Sequence, residues 1–239
     1  MIYFYDGSYE AFLTAFVAAF RDPEAQIASS DRQLLLGQKT VYIAADPAVA
    51  TRAESRLASF DRAAPQKLRY LLRSGCTGRD GVIFRYFRFL AEQKRPVDQM
   101  LAEDCVREAM EMKERIGREL DRMHGFVRFM ESASGALYAP VSPDHDICDL
   151  LASYFEKRLP AYPFVIHDLG RKKAAVYDGT TLFLAPLDRA DLLLSADETA
   201  WQALWRQYCK SVNIPSRERL KQMRGYMPVR YWKHLTELF

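Results

Sequence analysis

The spacing of hydrophobic residues changes once along this chain, at His124-Gly125, and this change limits the fold more than any other feature. Before it, apolar residues recur every three or four positions, which is typical of amphipathic helices. The longest such stripe predicts a helix from Gln99 to about Arg122. After it, short apolar runs alternate with Gly, Pro and Asp, which is typical of strands and turns. We therefore expect an α+β protein with a helix-rich region, 1–123, and a strand-rich region, 124–239, packed as one globule.

The helix-rich region begins with strand signals. Ile2–Tyr5 is a short apolar run ended by Asp6-Gly7, and it predicts a buried strand followed by a turn. Ser8 can then cap a helix. Lys39–Ala44 predicts a second strand, and Asp46-Pro47 opens a helix with proline at its first position.

The strand-rich region predicts an antiparallel sheet in the order β-β-α-β-β-β, with the helix on one face. Asp178-Gly179 predicts a type I′ hairpin that leads into the strand beginning at Thr181. Two C-terminal helices follow, the first marked by apolar residues from Trp201 to Tyr208 and the last beginning near Ser216 and interrupted at Pro228. The predicted elements of the sheet unit are strands at Phe126–Met130 and Ala136–Val141, a helix containing Ile147–Phe155, and strands at Phe164–His167, Ala174–Tyr177 and Thr181–Ala185.

Several classes of protein are excluded or made improbable by what the sequence lacks. No CxxC pair occurs among its four cysteines, so we expect neither a zinc ribbon nor an iron–sulfur cluster, and no other cofactor. The N-terminus has no basic signal-peptide region, and no apolar run approaches the roughly 20 residues that span a membrane. We therefore expect a cytoplasmic protein without membrane contact. The cysteines are Cys76, Cys105, Cys148 and Cys209.

Catalytic motifs are absent, which leaves open whether the chain is an enzyme. It contains no GxxxxGK[ST] loop, no GxGxxG after a strand, no HExxH and no GxSxG. The weak candidates are Asp144-His145-Asp146 and His167-Asp168, where carboxylates neighbour imidazoles and could bind a divalent metal or act in acid–base catalysis. We favour the structural interpretation, in which these residues cap a helix and end a strand, because no ligand spacing here is diagnostic and no metal site is predicted.

The strongest constellation is the C-terminal basic block, Pro215–Leu235. The net charge of the chain is only +3, but eight Lys or Arg and one acid, Glu218, lie between Arg206 and His234. Such a block can hold phosphates, and its aromatic rings can stack on bases. The alternative is a solvated basic face whose aromatic residues belong to the core. The candidate nucleic-acid contacts are Arg217, Arg219, Lys221, Arg224, Arg230, Tyr231, Trp232 and Lys233, with Tyr226 as a further stacking residue.

Five blocks of sequence, in order, resemble a bacterial family of unknown function described as probable DNA metabolism proteins. The resemblance covers essentially the whole chain. It implies a genomic companion, a radical SAM protein of DNA modification or repair, and in some members a fused uracil-DNA glycosylase-type domain. It supplies no catalytic residues. The blocks are MIYFYDGSYEAFLTA at the N-terminus, MHGFVRF at Met123–Phe129, SPDHDI at Ser142–Ile147, FVIHD at Phe164–Asp168 and MPVRYWKHL at Met227–Leu235.

Together these features predict an accessory protein of DNA metabolism or repair that binds DNA or docks a radical SAM repair enzyme. One alternative is a metal-dependent enzyme that acts on nucleic acid through the His-Asp pairs. Another is a protein–protein adaptor without DNA contact. The discriminating observation is whether His145, Asp146 and His167 converge in a single polar cleft.

Overall fold

The computed structural model describes residues 1–29, 39–191 and 193–238. They form two compact units, Met1–Ile116 and Gly117–Phe239, and one long helix continues across the boundary. Helices and strands are mixed in the chain, as an α+β protein requires. Within the described ranges, no helix combines the length and the apolar character that crossing a bilayer requires.

A small parallel sheet and several helices form the first unit. The strands lie in the order β2-β1-β3, and both pairs run parallel. Of these strands, β3 falls within the predicted Lys39–Ala44, whereas β2 was not predicted. The elements are β1 (Ile2–Phe4), α1 (Tyr9–Ala19), β2 (Gln26–Ala28), β3 (Thr40–Tyr42), α2 (Pro47–Phe60), α3 (Ala64–Leu71), α4 (Arg79–Gln93) and α5 (Asp104–Phe126), the last of which continues into the second unit.

Two local signals in this unit act as the sequence predicts. The turn after β1 uses Gly7 at φ +88°, a conformation that glycine adopts without steric cost. The Ser8 hydroxyl then accepts the Ala11 N–H at 3.3 Å and caps α1. The Asp46 carboxylate caps α2 by accepting the N–H groups of the second and third residues beyond it, at 2.9 and 3.1 Å.

A five-stranded sheet forms the second unit, with strand order β4-β5-β6-β7-β8. The helix α6 packs on it and buries Leu151, Ala152 and Phe155. From α5 the chain continues through β4 (Met130–Glu131), β5 (Leu137–Val141), α6 (Cys148–Arg158), β6 (Phe164–Asp168), β7 (Lys173–Tyr177), β8 (Leu182–Pro186), α7 (Glu198–Val212) and α8 (Leu220–Tyr226).

The predicted order β-β-α-β-β-β is confirmed, but the sheet is mixed and not antiparallel, because β5 and β6 run parallel. These strands are joined through α6, and a helix that crosses the sheet returns the chain in its original direction. In addition, α5 extends to Phe126, which reduces the first predicted strand to Met130–Glu131.

The predicted type I′ hairpin is also wrong. That turn needs positive φ at both central residues, but among residues 178–181 only Gly179 has one, at +98°. The Asp178 carboxylate accepts the N–H groups of Thr180 and Thr181 at 2.8 and 2.7 Å, so it stabilises a wider, four-residue loop between β7 and β8.

The last predicted helix begins later than Ser216. Pro215–Arg217 forms a single 3-10 turn, the Asn213 amide donates to the Glu218 carboxylate beside it, and α8 starts only at Leu220. Arg217 is therefore not on one helical face with Lys221 and Arg224, as a helix from Ser216 would have placed it. After Pro228 the chain continues as a 3-10 segment, Val229–His234.

Candidate nucleic-acid interface

A buried carboxylate, Glu119 on α5, holds together the loop after β5 and the C-terminal segment. It is 4% exposed and accepts the backbone N–H groups of Asp144 at 2.9 Å and His145 at 2.7 Å. It also accepts the Tyr231 hydroxyl and, at 3.1 Å, a guanidinium N–H of Arg230. Burial acts to raise the pKa of Glu119, but these donors together hold it below its ordinary value. We call these five residues the Glu119 cluster.

Two of the predicted nucleic-acid contacts belong to this cluster. Tyr231 is 2% exposed, so its ring is not accessible to a base. Arg230 is exposed, but its guanidinium also lies 2.7 Å from a carboxylate oxygen of Asp144. Burial, followed by the hydrogen bond to Glu119, raises the pKa of Tyr231, so the phenol remains a proton donor. Both residues connect the C-terminal segment to the rest of the second unit.

His167 on β6 uses both of its ring nitrogens inside the protein. Nε2 lies 2.9 Å from the carbonyl oxygen of Leu187, and Nδ1 lies 2.8 Å from the Tyr138 hydroxyl. Because a carbonyl can only accept, Nε2 carries a hydrogen and donates it to Leu187. The ring is 1% exposed. It is therefore placed as a structural link between β5, β6 and the segment after β8.

The remaining His-Asp candidates are also engaged in ion pairs or hydrogen bonds. Asp168 is fully buried and accepts two backbone N–H groups at 3.1 Å, and the Arg171 guanidinium at 2.9 Å. Arg171 also donates to the carbonyl of Asp144 at 2.6 Å. Asp146 pairs with Lys173. In the part of the chain that the structure describes, no group of three or more His, Cys, Asp or Glu side chains is arranged to hold a metal ion.

The C-terminal segment forms an open groove of about 840 Å³. The end of α7, the 3-10 turn and α8 line it, together with Trp232. It contains three basic side chains, two of them predicted from the sequence and one, Lys210 on α7, that was not. We call this surface the C-terminal groove. Its basic and aromatic residues are Lys210, Arg217, Arg219, Tyr226 and Trp232.

The acidic side chains of the groove are hydrogen-bonded within the protein, and one of them is paired with a cation, whereas its basic side chains have no acidic partner in the part of the chain that is described. Glu218 accepts from Asn213, and Glu237 accepts from Arg128 at 2.6 Å and from the Trp205 indole at 3.1 Å. Burial acts to raise the pKa of Glu237, but the bond from Arg128 holds it below its ordinary value. Among the described residues, the three basic side chains of the C-terminal groove have no carboxylate within 4.0 Å. The groove therefore carries net positive charge.

The two aromatic rings of the groove differ in accessibility. Tyr226 is 70% exposed. Trp232 is half-buried, and its indole N–H donates to the carbonyl of Met227 at 3.0 Å, which fixes the ring. The other predicted contacts lie on exposed surface: Lys221 and Arg224 on α8, and Lys233 on the 3-10 segment.

A serine–histidine contact connects the same loop with the C-terminal segment a second time. His234 Nε2 lies 3.1 Å from Ser142 Oγ. Burial, with a smaller contribution from Lys233, lowers the pKa of His234 to about 4, so the ring is neutral at pH 7. Residues from the blocks SPDHDI and MPVRYWKHL thus lie against each other in the fold.

A family model for a domain of unknown function, DUF4130, matches residues 77–237. No curated protein and no solved structure matches the chain.

Proposed function

The chain belongs to the DUF4130 family of domains of unknown function, and we propose that it is an accessory protein of DNA metabolism that binds single-stranded nucleic acid in its C-terminal groove. One observation carries this proposal. The groove combines three basic side chains that lack carboxylate partners with a highly exposed tyrosine.

Electrostatics support a polyanionic ligand. Lys210, Arg217 and Arg219 come from α7 and from the segment before α8, so they surround one groove instead of being spread over the surface. Phosphates placed between them release counterions, which makes binding favourable and strongly dependent on salt. The two acids beside the groove oppose this only in part, because Glu237 is paired with Arg128 and Glu218 is a single charge against three basic side chains.

The aromatic and apolar lining favours a single strand over a duplex. Bases inside a duplex are stacked on each other, so only unpaired bases present their faces to a ring. Tyr226 has its ring in solvent, and Leu220 and Met223 supply apolar surface in the same groove. A strand bound here would place its phosphates on the basic residues and its bases on this lining.

The test is fluorescence anisotropy with labelled single- and double-stranded DNA over a salt series. The variant is the triple change Lys210→Ala, Arg217→Ala and Arg219→Ala. Each lost phosphate contact on a single strand reduces the log–log salt slope by about 0.7, so the triple change should reduce it by roughly two. The control removes three exposed arginines of the first unit, through Arg52→Ala, Arg62→Ala and Arg95→Ala, and changes the net charge equally.

The control should keep the wild-type slope. Absence of binding by the wild type at low salt, or equal losses in the two triple variants, would contradict the proposal. The family resemblance further implies a companion radical SAM enzyme, so the titration is repeated with that enzyme present. Binding that appears only then would make docking to the enzyme part of the function.

The two alternatives predict different outcomes. A metal-dependent enzyme at the His-Asp pairs needs open ligands, whereas His167 and Asp168 are buried and bonded to protein groups. An adaptor that contacts only protein would bind neither DNA form at any salt concentration. The titration therefore separates the adaptor from the proposed function, and the burial of His167 and Asp168 argues against the metal-dependent enzyme.

A further inference from the structure

The helix α7 carries a stripe of large apolar side chains that face water. Each is between 41% and 62% exposed. At about 100° per residue they occupy an arc of roughly 100° on the helix surface. A monomer rarely leaves so continuous an apolar surface uncovered. We call it the α7 stripe, and it consists of Trp201, Leu204, Trp205, Tyr208 and Val212.

The area of the stripe is on the scale of a protein interface. An aromatic side chain has roughly 150–250 Å² of surface, so the three rings at these exposures present on the order of 300 Å². Leu204 and Val212, each 56% exposed, extend this area. A stable interface buries about 800 Å² on each partner. The stripe therefore supplies about half of such an interface before any neighbouring segment is included.

We propose that the α7 stripe pairs with the same stripe of a second copy of this chain, the two helices running antiparallel about a two-fold axis. If the axis passes between Leu204 and Trp205, Leu204 of one copy lies opposite Trp205 of the second copy. Trp205 of the first copy then lies opposite Leu204 of the second. Trp201 then faces Tyr208 of the second copy. A two-fold interface requires such self-complementarity. Four of the five stripe residues are placed symmetrically about that point, whereas Val212 lies opposite Asp197, at the N-terminal end of α7 in the second copy.

Charge does not oppose this pairing. The five stripe residues are uncharged, and Lys210 lies nine positions after Trp201, about 180° around the helix. Antiparallel helices also place the positive end of one dipole beside the negative end of the other. The cation that lies over the Trp205 ring, Arg128, is already paired with Glu237. The stripe shares only Val212 with the lining of the C-terminal groove, so the pairing does not depend on that groove binding nucleic acid.

The test is the molar mass of the full chain, measured by sedimentation velocity over a concentration series. Wild type should form a dimer. Leu204→Glu should be monomeric, because it buries a carboxylate against Trp205 of the second copy and places the two carboxylates close together on either side of the two-fold axis. Leu204→Lys should be monomeric for the same reason. An equimolar mixture of the two variants should recover the dimer, since opposite charges then face each other.

The matched control is Phe183→Glu, which puts the same charge on an exposed apolar position of β8. It should remain dimeric, and circular dichroism should show that all variants keep their helix content. A monomeric wild type would overturn the proposal, and the partner of the α7 stripe would then be a different protein. A dimer that survives Leu204→Glu, or a mixture that stays monomeric, would overturn it as well.

Discussion

Glu119 shows how a carboxylate can stay ionised inside the second unit. Burial disfavours its charge, and the donors around it, two backbone N–H groups, a phenol and a guanidinium, favour it. Each donor compensates part of the cost of desolvation. Removal of one donor leaves a charged acceptor incompletely satisfied, and this costs more than the loss of an exposed hydrogen bond.

Tyr231→Phe should therefore destabilise the protein by about 1–3 kcal/mol, because it removes one donor from a buried carboxylate and leaves the ring packed. Urea unfolding followed by circular dichroism measures this change. Tyr162→Phe makes the same chemical change at a residue that is 54% exposed, and it should have little effect. Equal effects of the two variants would show that the Glu119 cluster does not stabilise the fold.

His234 should make stability depend on pH. Its folded-state pKa, about 4, lies below the ordinary 6.5, so between these values the unfolded chain binds the proton and the folded protein does not. The contribution of His234 to the free energy of unfolding is then fully present above pH 6.5 and is lost as the pH falls towards 4. His145 and His124 shift in the same direction, mainly through burial.

His234→Gln should remove part of this dependence, since an amide can still bond Ser142 but does not titrate. Unfolding free energies measured between pH 7 and pH 4 would show a shallower decline in the variant than in wild type. An identical decline in both proteins would assign the pH dependence to other groups.

Among the elements, those that follow from local signals could be predicted and those that depend on distant partners could not. The cap at Ser8 and the order of the six elements in the sheet unit follow from turn residues and hydrophobic spacing. The parallel pairing of β5 with β6 does not, because a hydrophobic pattern has no direction. β2 was missed because three residues, Gln26–Ala28, are too few to show a period.

The residues of the candidate site could also be predicted only in part from the sequence. The basic block identifies Arg217, Arg219 and Tyr226 from composition alone. It also includes Tyr231, whose burial depends on Glu119, a residue 112 positions away. The exposed stripe of α7 has the spacing of a buried face, so periodicity cannot show that this face meets water. Lys210 was missed because only the folded turn at Pro215 brings it to the groove.

The exposed ring of Tyr226, at the end of α8, gives a prediction for the C-terminal groove. Tyr226→Leu should weaken binding of single-stranded DNA by about 5- to 150-fold, because loss of a stacking ring costs roughly 1–3 kcal/mol. Tyr226→Phe should bind as wild type does, since the ring remains. Anisotropy at fixed low salt measures both. If Tyr226→Phe loses as much affinity as Tyr226→Leu, the hydroxyl and not the ring makes the contact.

For the whole molecule, the division into two compact units means that each has its own core. The first centres on residues such as Phe12 and Leu68, and the second on residues such as Ile166 and Leu151. Net charge is small for the chain as a whole, +3, so association with an anionic partner depends on local concentrations of charge.

A substitution in one unit should increase amide hydrogen exchange mainly within that unit. Tyr231→Phe should increase amide exchange in β6 and β7 more than in α1 and α4, because the lost bond lies within the second unit. Leu68→Ala opens a cavity in the core of the first unit. It should increase amide exchange in α1 and α4 more than in β6 and β7. Mass spectrometry of peptides from the exchanged protein gives both patterns. A uniform increase in either variant would mean that the chain unfolds as one cooperative body.

The Glu119 cluster also constrains when the protein can finish folding during its synthesis. The carboxylate is made near the middle of the chain, and its partners Arg230 and Tyr231 are made more than a hundred residues later. Until they leave the ribosome, Glu119 can bond only the loop at Asp144 and His145. The second unit therefore completes its fold only after residues 230 and 231 have left the ribosome, whereas the parallel sheet of the first unit, whose strands lie within the first 42 residues, can form earlier in synthesis.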